Sequence, residues 1–192
     1  GSFYGFDRLA DDTRIGHAGP DVGYWRIPDH AAMALLHRQE LQPDGPTRRP
    51  VFAVFPTVST HAPFHPLPSL DAPSGVADEP AGAPLSPTER YLRSLRYQFE
   101  WLARHLEEPA SRRLVVIVVG DHQPPLVAGR NASWDVPVHV ISALPDLQRR
   151  FEALGFVPGL LPAADNAGAM HDLTRLLLHA FDGSGDIDLE SA

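Results

Sequence analysis

An aspartate and a histidine stand side by side directly after the most apolar run of the chain. Residues 114–119 read Leu-Val-Val-Ile-Val-Val, and Gly120-Asp121-His122 follows them. A carboxylate oxygen beside an imidazole nitrogen suits Zn²⁺, Mn²⁺ or a similar divalent ion, and Gly120 would let the backbone turn sharply so that both side chains leave the strand. The alternative is that this Asp-His pair only opens a polar turn, because a dipeptide is a short motif.

A histidine follows an earlier apolar run. Residues 51–55 read Val-Phe-Ala-Val-Phe between prolines, a pattern that favours a buried strand, and His61 comes shortly after it. A histidine at a strand end can bind a metal or donate to an oxygen that becomes negative in a transition state. Alternatively, it is a loop histidine bonded to the backbone. Because the carboxyl ends of parallel strands meet at one edge of a sheet, we expect His61 to lie beside the Asp-His pair.

The clearest helix is predicted over residues 88–108. Ser86 is a good N-cap, Pro87 suits the first helical position, and Glu89 completes a capping box with Ser86. An apolar stripe at spacings of three and four predicts which face of the helix is buried. Its members are Leu92, Leu95, Phe99, Leu102 and Leu106.

Strands and helices alternate along the rest of the chain. Apolar runs and amphipathic patterns predict three strands, 51–55, 114–119 and 136–141, and three more helices, 29–41, 145–154 and 170–181. Such alternation is typical of an α/β fold, and we predict a three-layer αβα domain with a mostly parallel sheet. The long Pro-rich segment 57–87 is predicted to be a functional or mobile loop.

The composition is that of one globular domain, and it excludes several functions. The chain has 192 residues, of which 43% are hydrophobic and 21% charged. No apolar run approaches the roughly 20 residues that cross a bilayer. A formal net charge of −8 argues against nucleic-acid binding. Cysteine and lysine are both absent, which excludes disulfides, cysteine nucleophiles and Schiff-base chemistry.

Several of these segments, taken in order, resemble the later part of the sulfatase and alkaline-phosphatase superfamily. Within it, the chain resembles the bacterial membrane-anchored branch that includes lipoteichoic acid synthases and phosphoglycerol transferases, and the likeness covers residues 3–181. The implied fold is alkaline-phosphatase-like. The motifs that carry the resemblance are Phe3-Tyr4-Gly5-Phe6-Asp7, Gly23-Tyr24-Trp25-Arg26-Ile27-Pro28-Asp29, Thr60-His61-Ala62-Pro63-Phe64, the pair Tyr91 and Tyr97, Gly120-Asp121-His122-Gln123-Pro124, Val136-Pro137-Val138, and a closing helix with Met170, Leu176 and Leu177.

The resemblance implies a metal-dependent transferase or hydrolase of phosphate or sulfate esters. The Asp-His pair would bind the catalytic divalent metal, which could be Mn, Zn, Mg or Ca. His61 would be the catalytic histidine that contacts the phosphate or sulfate group of the substrate. Trp25 would form a wall of the substrate pocket, although it could equally be a core aromatic, and Arg26 and Asp29 would lie nearby. The substrate would be a small-molecule, lipid or glycan ester.

The same resemblance implies that the chain is only part of a domain. The nucleophile, a Thr or Ser, and a further acidic metal ligand belong to the first half of this fold, so we expect little or no turnover from the chain alone. Residues 1–2 are interpreted as a cloning remnant and 183–192 as a flexible tail. The whole protein is expected to be anchored through an absent N-terminal region and to work on the extracytoplasmic face of the cytoplasmic membrane, with this fragment itself soluble.

A competing interpretation is a degenerate, non-catalytic sulfatase-like domain that serves as a binding or scaffolding module. The related enzymes usually continue Gly-Asp-His with glycine, whereas Gln123-Pro124-Pro125 follows here, which sets this chain apart from them.

An incomplete sheet would also expose a strand edge, and such an edge favours pairing with a second copy of the chain.

Overall fold

The computed structural model describes residues 5–23, 26–41, 50–71, 75–78, 83–163 and 165–182. The predicted cloning remnant, Trp25 and the predicted tail lie outside these residues. The chain divides into two units. The first comprises Gly1–Glu108 and Pro124–Ala128, and the second comprises Pro109–Gln123 and Gly129–Ala192.

Two helices in contact with each other organise the first unit. Helix α1, Asp29–Leu36, continues into a single π-helical turn, His37–Leu41. Helix α2, Pro87–Glu107, begins with the predicted capping box. The Ser86 hydroxyl accepts from the amide of Glu89 at 3.3 Å, and the Glu89 carboxylate accepts from the amide of Ser86 at 2.8 Å. The prediction of this helix is confirmed, because a cap of this kind depends only on local sequence.

The buried face of α2 differs from the predicted leucine stripe. Leu102 is buried, whereas Leu92 and Phe99 are exposed. Ser94 is buried instead, and its hydroxyl donates to the carbonyl of Tyr91 at 2.9 Å. The leucine pattern therefore predicted the helix but not its buried face, whose members are Ser94, Tyr97, Trp101, Leu102 and His105.

A strand pair and two helices form the second unit. Strands β1, Val115–Val119, and β2, Val138–Ser142, pair antiparallel along their whole length. Helix α3, Pro145–Ala153, follows, and a 3-10 turn, Met170–Asp172, leads into helix α4, Leu173–Asp182. These elements pack around a core whose buried members are Leu147, Phe151 and Ala180.

The predicted mixture of helices and strands is confirmed, but the strand pairing differs from the prediction. Among the described residues there is one two-stranded sheet, and its strands are antiparallel. Parallel neighbours need a crossover of about a dozen or more residues, usually a helix, whereas segment 120–137 contains turns but no helix. The chain therefore returns antiparallel from β1 to β2, and the described residues do not form a three-layer parallel sheet.

Residues 51–55, predicted as a buried strand, are not a strand in the structure. Val51, Phe52 and Val54 are exposed, with Phe52 at 79%. A continuous apolar run is suited to a position between two neighbouring strands. Apart from an isolated bridge between Pro68 and Val76, the described part of the first unit offers no strand to pair with. Within the described residues, this apolar run therefore lacks the neighbouring strands that its composition favours.

The remaining helix predictions agree with the structure. The helix predicted over 145–154 is α3, the one over 170–181 is the 3-10 turn with α4, and the one over 29–41 is α1 with its π-helical turn. Among the described helices, none is both long enough and apolar enough to cross a membrane.

Candidate functional site

The Asp-His pair follows β1 through a glycine that packs closely against the segment before β2. Gly120 donates its amide to the carbonyl of Pro137 at 3.0 Å. A Cβ atom added to Gly120 would lie 3.0 Å from the Cβ of Val136 and 3.1 Å from the Cδ of Pro137. Gly120 does not have a positive φ. Glycine is therefore needed here for close approach, and the sharp turn expected from the sequence is not the reason.

We expect Gly120→Ala to destabilise the second unit by about 1–3 kcal/mol, because the added methyl group must push the end of β1 away from the segment before β2. Urea unfolding followed by circular dichroism measures the change. Gly129→Ala is the matched control: a Cβ atom there would meet nothing within 4 Å, so its effect should stay below about 0.5 kcal/mol. Equal stability of the two variants would contradict the close approach.

Asp121 and His122 place their ligand atoms close together in solvent. The Asp121 side chain is 97% exposed and that of His122 is 53% exposed, and Nε2 of His122 lies 3.6 Å from Oδ2 of Asp121. Nδ1 of His122 lies 2.8 Å from the carbonyl oxygen of Gln123. A histidine that binds a metal usually donates its other ring N–H in this way, which fixes the ring and leaves the second nitrogen as the ligand.

A buried carboxylate holds the segment that precedes His61. Asp29, the first residue of α1, is 2% exposed and accepts from the backbone amides of Val58 at 3.0 Å and Ser59 at 2.9 Å. His61 donates its own amide to the carbonyl of Val58 at 3.0 Å, and its Nδ1 lies 2.7 Å from the carbonyl of Ala62. The backbone and ring of His61 are therefore oriented by their neighbours in sequence.

His61 lies at an open cleft of the first unit. The cleft contains about 380 Å³ of empty space, and prolines and apolar side chains form most of its lining, with Ser59, His61 and His65 as polar members. Phe64 also lines it; this residue is buried, packs its ring 5.3 Å from that of Tyr91, and has a φ of 60°. A positive φ is strained for a bulky residue, and such strain is often found at functional sites.

A neutral pair, His30 and Tyr97, fixes the first turn of α1 against α2. The Tyr97 hydroxyl lies 2.7 Å from Nδ1 of His30 and 3.4 Å from its amide nitrogen. Burial raises the pKa of Tyr97 and lowers the pKa of His30, so both side chains are neutral near pH 7. Since this turn carries Asp29, the pair supports the anchor of the segment before His61.

A third group of metal-binding side chains was not found from the sequence. His37, His105 and Glu108 each offer one ligand atom, and these atoms lie within 4.8 Å of one another in the first unit. Burial lowers the pKa of His105, and the charge of His37 lowers it further, whereas Glu108 raises it. The available signal was the spacing of three between His105 and Glu108, but nothing in the sequence points to His37 as their neighbour.

The structure brings Asp121 and His122 together and places His61 at a cleft. His61 belongs to the first unit and the Asp-His pair to the second, so their predicted proximity stays a prediction. Arg26, expected near the pocket, forms ion pairs with Asp12 and Asp21 at 3.1 Å each on the surface.

Comparison with known proteins adds no relative. No family model matches the chain, and neither a curated protein nor a solved structure matches it. The resemblance to the sulfatase and alkaline-phosphatase superfamily therefore stays a prediction that rests on the motifs themselves.

Proposed function

We propose that this chain supplies the later part of a metal-dependent domain that transfers or hydrolyses phosphate or sulfate esters. The observation that carries the proposal is the Asp121 and His122 pair, whose ligand atoms lie 3.6 Å apart in solvent just after a strand. Two ligand atoms bound to one ion at about 2.1 Å lie roughly 3.0–3.4 Å apart. A small side-chain rotation is therefore enough for both residues to bind one divalent ion. The order of the motifs supports the same reaction class.

Each residue has its own role in this proposal. The divalent ion, when bound by Asp121 and His122, supplies Lewis-acid stabilisation of the ester oxygens. His61 contacts the anionic group of the substrate with its ring, which the carbonyl of Ala62 orients through Nδ1. The apolar lining of the cleft at His61 suits the organic part of a lipid or glycan ester.

The proposal extends to the fold and the setting of the whole protein. The exposed apolar side chains of Val51, Phe52 and Val54 support a larger, mostly parallel three-layer sheet, in which this run would have neighbours on both sides. In this proposal the nucleophile and a further metal ligand come from the other part of the domain. The whole protein is anchored in the membrane and works on its extracytoplasmic face, as the resemblance implies.

Metal binding by the chain tests the role of Asp121. We expect the chain to bind Mn²⁺, and we expect Asp121→Ala to weaken this binding by at least about 10–100-fold, because losing a ligand costs at least as much as losing a group that only orients one. Titration calorimetry on the metal-free chain measures both affinities, with Glu108→Gln present in both proteins so that the group of His37, His105 and Glu108 does not account for the binding. We also expect no turnover of nitrophenyl phosphate or nitrophenyl sulfate by the chain alone.

A second Asp-His neighbour pair provides the matched control. His171 Nε2 lies 3.7 Å from Asp172 Oδ1, but the Asp172 carboxylate also lies 3.6 Å from Arg175 and accepts from the amide of Ala169. Asp172→Ala should therefore leave Mn²⁺ affinity unchanged. Wild-type affinity in Asp121→Ala would contradict the proposal and favour the scaffolding module. Turnover that Asp121→Ala abolishes would show that the chain already contains a nucleophile.

A further inference from the structure

Three metal-binding side chains converge where the π-helical turn after α1 meets the end of α2. His37 lies in that turn, His105 lies in the last turn of α2, and Glu108 is the residue that caps the end of α2. The two imidazole rings have centroids 5.0 Å apart and an interplanar angle of 81°. One ligand atom from each of the three residues lies within 4.8 Å of the others.

The burial of the two histidines gives an independent reason to expect a ligand. His37 is 5% exposed and His105 is 8% exposed. Within the described part of the chain, the buried Nδ1 of His37 has no hydrogen-bond partner. A buried polar atom that is left unsatisfied costs about 1–3 kcal/mol, so such atoms normally have a partner. A metal ion bound to Nδ1 of His37 would supply the partner.

We propose that His37, His105 and Glu108 bind one Zn²⁺ ion that links the π-helical turn to the end of α2. Two imidazole nitrogens and one carboxylate oxygen are an established ligand set for Zn²⁺, with water in the fourth position. Nitrogen ligands disfavour Mg²⁺ and Ca²⁺, which prefer oxygen. Glu108 is exposed, so its carboxylate can rotate toward the ion and the fourth position can face solvent.

This site is distinct from the one in the proposed function. Its residues all belong to the first unit, whereas Asp121 and His122 belong to the second. It joins two segments that are far apart in sequence, and an ion that binds only the folded state stabilises that state in proportion to its affinity. The expected role is therefore structural: bound Zn²⁺ holds α1 and α2 together.

Cobalt titration of the metal-free chain tests the proposal, because Co²⁺ occupies zinc sites and its visible absorption reports low coordination number. We expect the chain to bind one equivalent of Co²⁺ tightly and to show intense visible absorption bands. Added Zn²⁺ should displace the Co²⁺ and remove these bands. Glu108→Gln should weaken this binding by at least about 10–100-fold, and it should remove the rise in melting temperature that Zn²⁺ causes in the wild-type chain. Glu108 is exposed, so this variant should fold. His37→Gln should lose the same bands.

Two controls separate this site from other histidines. His171→Gln removes a histidine whose side chain is 84% exposed, and the double variant Asp121→Ala, His122→Ala removes the site of the proposed function. Both should keep the tight Co²⁺ equivalent. The proposal is overturned if Glu108→Gln binds Co²⁺ as tightly as the wild type, or if the double variant is the one that loses the tight equivalent. If His37→Gln fails to fold, the Co²⁺ affinity of Glu108→Gln alone decides whether the proposal stands.

Discussion

Asp29→Ala should lower the free energy of unfolding of the first unit by about 2–4 kcal/mol. The Asp29 carboxylate is buried and accepts from two backbone amides, those of Val58 and Ser59. Both of these residues are half-buried, and a hydrogen bond to a charged group contributes about 1.5–3 kcal/mol. Urea unfolding measures the total loss. Hydrogen exchange at the amides of Val58 and Ser59 should become faster, because the acceptor that protects them is gone.

Two variants show whether the anchor depends on the carboxylate. Asp29→Asn keeps one oxygen acceptor but turns an NH₂ group toward the second amide, so its stability should lie between those of the wild type and Asp29→Ala. Asp21→Ala removes an exposed carboxylate that is paired with Arg26, and the cost should stay below about 1 kcal/mol. If Asp29→Ala were no less stable than Asp21→Ala, Asp29 would not anchor the segment before His61.

This anchor also explains how Asp29, at the start of α1, affects the cleft at His61. Asp29 was expected near the pocket only because of a motif resemblance. In the structure it holds the backbone just before His61, and Ser59, which it holds, lines the same cleft as His61. Loss of the anchor should therefore change the shape of the cleft as well as stability.

Features that depend on neighbouring residues were predictable from the sequence. The capping box of Ser86 and Glu89 forms between residues three apart, so its pattern alone locates the start of α2. The strand before Asp121 was predicted from its β-branched run, and β1 lies there. The hydrogen bond of His122 Nδ1 to the next residue is equally local. The cap and the histidine contact join residues that are at most three positions apart, and the strand was predicted from residue types within a single run.

Features that depend on distant segments were not predictable in this way. The direction of β2 follows from a connection without a helix, which the apolar runs did not reveal. The buried face of α2 includes Tyr97 because His30, far away in sequence, supplies a hydrogen-bond partner. The neighbourhood of His37 and His105 likewise depends on how α1 packs on α2. A sequence pattern contains the residue types but not these pairings.

Phe151→Ala should destabilise the second unit by about 3–5 kcal/mol, the range for a buried phenylalanine. Phe151 is 3% exposed, and its ring centroid lies 5.1 Å from that of Phe156 and 6.4 Å from that of Phe181. Domains are stable by about 5–15 kcal/mol in total, so a loss of this size should remove a large share of the stability of the unit and make opening of its core more frequent. Urea unfolding measures the loss, and hydrogen exchange in β1 shows whether the strand opens with the core.

The same variant tests whether the Asp-His pair depends on its strand. Val115 of β1 packs against the core that contains Phe151, so opening the core should release β1 and weaken Mn²⁺ binding at Asp121 and His122. Phe181→Ala is the control: Phe181 is half-exposed in the same aromatic group, and its loss should cost about 1 kcal/mol and leave both β1 and Mn²⁺ affinity intact. If Mn²⁺ affinity survived after β1 had opened in Phe151→Ala, the pair would bind metal as a local dipeptide, and its position after β1 would have no functional meaning.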